Sequence, residues 1–162
     1  MQSILLLVPF LYLCAIAFPL AIVDLREHRL PNKWTLSAAL ITISCLAGTS
    51  ALSGDWLAYL QSLGAAAITF LIGWFLAAKE AIGMGDVKLL VSLNAFAGYL
   101  SPLLPLVAFA AAMVAASVVG AISLLRRRVT RESSIALGPY LLGGFFLTVA
   151  PSALSATAGV WS

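Results

Sequence analysis

Long apolar runs separated by brief polar breaks organise this chain. With about 20 apolar residues per bilayer crossing, the runs predict six helices: Ser3 to Val23, Trp34 to Leu52, Trp56 to Ala78, Ala81 to Leu100, Leu103 to Leu125 and Ile135 to Ala158. The breaks leave too little chain for a folded soluble domain. The expectation is therefore an all-α, polytopic integral membrane protein with six transmembrane helices, forming a single membrane-embedded domain over residues 1–162. Local signals support the limits. Asp55 is a predicted N-cap for the third helix, and Pro31-Asn32 suits an extended turn before the second. Trp34, Trp56 and Trp161 sit at span ends, where indole rings prefer the interface. Small residues from Ala108 to Gly120 predict close packing of the fifth helix. Pro9, Pro19, Gly138-Pro139 and Gly143-Gly144 predict kinks and close approaches in the first and last helices. The first run lacks a basic head and a small-residue cleavage site, so it is read as a permanent helix.

Composition agrees with the pattern, and charge adds an orientation. The chain is 62% hydrophobic and 9% charged, with a mean hydropathy of +1.07. All nine Lys and Arg fall in alternate breaks: Arg26, Arg29 and Lys33 in the first, Lys79 and Lys88 around the third, and Arg126, Arg127, Arg128 and Arg131 in the fifth. The positive-inside rule puts these breaks in the cytoplasm and both termini outside. It also explains the net charge of +3 without invoking nucleic acid. Arg26, Arg29, Lys33 and the Arg126 to Arg128 run are read mainly as anchors to anionic lipid. Cys14 and Cys45 lie in apolar runs without metal-ligand spacing and are read as small buried hydrophobes. His28 reads as a solvated loop residue. No nucleotide or metal motif appears, so no cofactor is expected.

Two aspartates depart from this economy. Asp24 closes the first run, and Asp86 stands in Gly83-Met84-Gly85-Asp86-Val87-Lys88, about five residues into the fourth. A carboxylate at membrane depth is costly and marks a candidate functional site. Six spans put both at the same face. Two neighbouring carboxylates in a low dielectric do not ionise together easily, so the pair is expected to keep one proton. One then accepts a proton from water while the other donates to a carbonyl oxygen, with neither role fixed to either residue. Gly83 and Gly85 allow a tight bend and close approach. The structural alternative remains open: Asp24 pairing with Arg26 or Arg29, and Asp86 with Lys79 or Lys88. Lys88 either snorkels or tunes the pair, and Asn32 either orients the site or caps a turn.

Asp24, Leu30-Pro31-Asn32 and Gly83-x-Gly85-Asp86-x-Lys88 together resemble the type IV prepilin peptidase family of membrane aspartic endopeptidases. Gly138-Pro139 resembles a further feature of that family. The glycine motif alone is shared with presenilin-like proteases, in which the first aspartate usually follows a tyrosine; here Val23 precedes Asp24. The resemblance implies a helical bundle of the GxGD aspartic protease type in the bacterial inner membrane, with Asp24 and Asp86 as catalytic pair. It further implies a prepilin or pseudopilin substrate, cut at the cytoplasmic face between a basic leader and a hydrophobic helix. The cysteine-bearing segment linked to N-methylation in many members has no counterpart here. The expectation is thus a minimal peptidase like those serving Flp pilus assembly. Two alternatives from other classes are a small cation-coupled transporter and a non-catalytic membrane assembly subunit.

Overall fold

A computed structural model describes residues 2–27, 31–80, 82–125 and 137–158. These described residues form six helices: α1 (Gln2–Glu27), α2 (Asn32–Ser53), α3 (Trp56–Ala78), α4 (Met84–Leu100), α5 (Leu104–Leu125) and α6 (Gly138–Ala158). Among the described residues, every regular element is helical. Four of the helices, α1, α2, α3 and α5, are long and apolar enough to cross a membrane.

The fourth helix is the axis of the bundle. Val87, Leu89, Leu90, Leu93, Ala95, Phe96 and Ala97 are buried around its circumference, together with Ser92, Asn94 and Gly98. A helix buried on every side is an interior helix. It packs against α2 and α3 on one side and α5 and α6 on the other, while α1 lies against α2 and α6. Phe96 stacks on Phe10 of α1 and meets Phe145 of α6 edge-on, with centroids 5.9 and 6.1 Å apart.

The outer helices invert the pattern of a water-soluble protein. On α3 the buried positions are the small residues Ala58, Ser62, Ala66 and Gly73. Leu57, Leu60, Ile68, Leu71, Ile72, Trp74 and Phe75 face outward. Apolar surfaces gain nothing by leaving lipid for protein, so small residues that let backbones approach do the packing instead. Accordingly, a side chain at Gly73 would strike Val87, its Cβ falling 2.6 Å from a Val87 methyl. The fifth helix follows the same rule: Ala108, Ala112 and Ala116 form its buried stripe, as its small-residue composition predicts. Against them lies Gly144, where a Cβ would stand 2.7 Å from both the Ala108 carbonyl oxygen and the Ala112 amide nitrogen. Polar stitches join helices too, with Asn94 Nδ2 donating to Thr69 Oγ1 at 2.8 Å and Ser50 Oγ donating to the Tyr99 hydroxyl at 3.2 Å.

The expected helix limits hold at some ends and move at others. The third helix has the expected bounds, with the Asp55 carboxylate accepting from the Ala58 amide at 3.1 Å. Pro31 is the extended N-cap of α2 (φ −62°, ψ 122°). The first helix, however, continues past Asp24 to Glu27, and α4 starts at Met84 instead of Ala81. Asp86 therefore lies in the first turn of α4 rather than five residues in. Cys14 is exposed and Cys45 half-buried, a correction to the reading of both as buried. Their apolar setting is the outer surface of a bundle that faces lipid. His28, Arg29, Arg126 to Arg128, Arg131, Glu132 and Trp161 lie outside the described residues, as does the Arg26 side chain.

Candidate active site

The site forms where α1 ends and α2, α4 and α6 begin. Asp24, one turn before the end of α1, is 3% exposed. Its Oδ2 accepts a hydrogen bond of 2.8 Å from the backbone amide of Gly138, the first residue of α6. The first amides of a helix have no partner within it, and the helix dipole favours negative charge there. A carboxylate from a neighbouring helix satisfies both.

Asp86 is held by a related device within its own helix. Gly83 is the N-cap of α4, extended at φ −67° and ψ 139°, and Asp86 is three residues on. A side chain at that position reaches back to the N-cap amide, and the Gly83 backbone hydrogen-bonds the Asp86 carboxylate. A Cβ on Gly83 would come within 3.1 Å of Asp86 Oδ2. The other oxygen, Oδ1, is buried without a hydrogen-bond partner among the described residues. A buried polar oxygen so left is costly, and it is available to a water or a substrate.

The two carboxylates lie within electrostatic reach of each other. They lie 62 positions apart in sequence, on α1 and α4, and the bundle brings them to one end. The remaining motif residues assemble beside them. Lys88 Nζ donates to Asn32 Oδ1 at 2.7 Å, tying the second turn of α4 to the first residue of α2. Pro31 starts that helix, its carbonyl oxygen accepting from the Trp34 amide at 3.1 Å. Gly85 stands in the first turn of α4, directly before Asp86. Lys79 places its ammonium 4.5 Å from the Phe75 ring centroid. Among the described residues, then, neither Lys79 nor Lys88 forms an ion pair with an aspartate. The residue whose part was not foreseen is Gly138. Its place beside Pro139 marked a bend or close approach, but nothing in the sequence pointed to Asp24 as its partner.

An all-helical, membrane-type bundle carrying two carboxylates within electrostatic reach of each other at one end defines a class of integral membrane proteins with an acidic site. The chain belongs to the type IV leader peptidase family, whose model matches residues 11–124. It is thus a member of a family of hydrolases that act on leader peptides. No curated protein and no solved structure matches the chain.

Proposed function

We propose that this protein is an aspartic endopeptidase of the bacterial inner membrane that removes the basic leader from a prepilin or pseudopilin. Its Asp24 and Asp86 are the catalytic pair, and the reading has them near the cytoplasmic face. The observation that carries this is the placing of the two carboxylates within electrostatic reach at one end of the bundle, each with an oxygen held by a glycine amide. Family membership supplies the reaction class. The distribution of Lys and Arg supports a six-span topology with both termini outside.

In this mechanism the pair holds one proton. The ionised carboxylate takes a proton from water as the water oxygen bonds to the scissile carbonyl carbon. The protonated partner gives its proton to the carbonyl oxygen. The tetrahedral diol then collapses: one of its hydroxyls returns a proton to the second carboxylate, the C–N bond breaks, and the leaving nitrogen takes the proton held by the first, which restores the pair with its single proton. Unpartnered Asp86 Oδ1 suits contact with water or the carbonyl. Two fixed glycine amides keep the oxygens oriented without long, mobile side chains. No step calls for a metal or an organic cofactor. Substrate recognition joins two chemistries: the basic leader outside the bilayer, and an apolar helix entering laterally from lipid.

The test is cleavage of a prepilin by the purified protein in detergent. Asp24→Ala and Asp86→Ala should each lower the rate by at least about 10²–10⁴-fold, the usual contribution of a general acid or base, while still inserting. Near-normal cleavage by either variant would remove the pair from the chemistry. Cation flux through liposomes carrying the intact protein, without cleavage, would replace the peptidase reading with that of a transporter.

A further inference from the structure

We infer that Gly138 is a positioning residue for Asp24, through its backbone amide and through the absence of a side chain. The inference rests on the peptidase reading and deepens it, naming the residue that holds one of the two carboxylates in place. Two independent features carry it. The first is the 2.8 Å hydrogen bond from the Gly138 amide to Asp24 Oδ2, buried and joining residues 114 positions apart. The second is steric. A Cβ at Gly138 would stand 2.7 Å from Asp24 Oδ2 and 3.1 Å from its Cγ, closer than a methyl and a carboxylate tolerate.

The neighbouring glycines show how particular this is. Gly143, on the same helix, has nothing within 4 Å of an added Cβ. Gly144 meets the backbone of α5 and serves helix packing. Of these three, only Gly138 touches a carboxylate. Asp24 lies near the end of α1 and α6 starts beside it, so the contact also sets how far α6 slides along α1. A carboxylate moved by about 1 Å forfeits about 10²-fold in rate even when the fold survives.

The experiment has two arms. In the first, Gly138→Ala, Gly143→Ala and Gly144→Ala are compared for prepilin cleavage and thermal stability. Gly138→Ala should lower kcat about 100-fold with KM changed less than about threefold, the signature of a defect confined to the reacting groups. Gly143→Ala should match the parent. Gly144→Ala should lose stability, with the kcat of its folded fraction retained. The second arm needs no activity. In the ¹⁵N-glycine-labelled protein, the Gly138 amide proton should resonate downfield and move upfield in Asp24→Ala, with Asp55→Ala as control. Wild-type kcat in Gly138→Ala, a loss expressed only as a higher KM, or a Gly138 resonance indifferent to Asp24→Ala would each overturn the inference. An intact protein that cleaves no prepilin would sink the peptidase reading instead, and the amide resonance would still decide whether Gly138 holds Asp24.

Discussion

Asp86 is aimed by the residue three places before it. With Gly83 extended, the chain enters α4 so that the carboxylate folds back on the N-cap amide, leaving Oδ1 unpartnered toward the site. At φ −67° the Gly83 backbone is open to any residue, so its requirement for glycine is one of space. Gly83→Val should therefore insert and fold, yet cleave about 10–100-fold more slowly, as its branched side chain displaces a carboxylate 3.1 Å from the Cβ position. Initial rates against thermal stability check this. Equal rates would mean that the carboxylate yields without consequence. Both aspartates were legible in the sequence because charge inside an apolar run stands out. The contact between Gly138 and Asp24 was not, because a backbone amide donor leaves no side-chain signature.

At the scale of the helices, hydropathy located the elements well and their site-bearing ends less well. The third helix matches its expected limits because the Asp55 cap and the apolar edge coincide. At α1 they do not: Asp24 breaks the apolar run, but Leu25, Arg26 and Glu27 beyond it favour helix, so the helix outlasts the run and carries Asp24 inside it. At α4 the apolar residues Ala81 and Ile82 precede an extended Gly83, so the apolar run begins before the helix does. The turn between α3 and α4 also holds a strained residue. Glu80, just beyond the Lys79 C-cap, has φ 57°, the left-handed conformation usually taken by glycine at this position. Glu80→Gly should stabilise the protein by roughly 1 kcal/mol, the cost of a non-glycine residue in that region. Thermal or denaturant unfolding in detergent measures it, and a loss of stability would show that the Glu80 side chain contributes more than its backbone costs.

For the molecule as a whole, one interior helix is encircled by partners that pack through small residues and expose large apolar ones. Such a bundle suits lipid, and it brings the end of α1 and the starts of α2, α4 and α6 to one face. The third helix, 23 residues and about 35 Å long, separates Ser53 from Glu80 by more than the roughly 30 Å hydrocarbon core. In a protein otherwise free of cysteine, Ser53→Cys should react with an impermeant thiol reagent from outside intact cells. Glu80→Cys should react only after the cells are opened. The reverse labelling would turn the site away from the cytoplasm and from a substrate that presents its leader there.

The central claim is that Asp24 and Asp86 act as one unit, and the rates of three variants test it most directly. Prepilin cleavage is measured under single-turnover conditions for Asp24→Asn, Asp86→Asn and the double substitution. If the pair shares one proton and both members are needed in the same step, each single variant should lose nearly as much as the double, as groups acting as a unit do. If the two losses instead multiply in the double variant, or one single variant cleaves at close to the parent rate, the carboxylates act separately and the account fails.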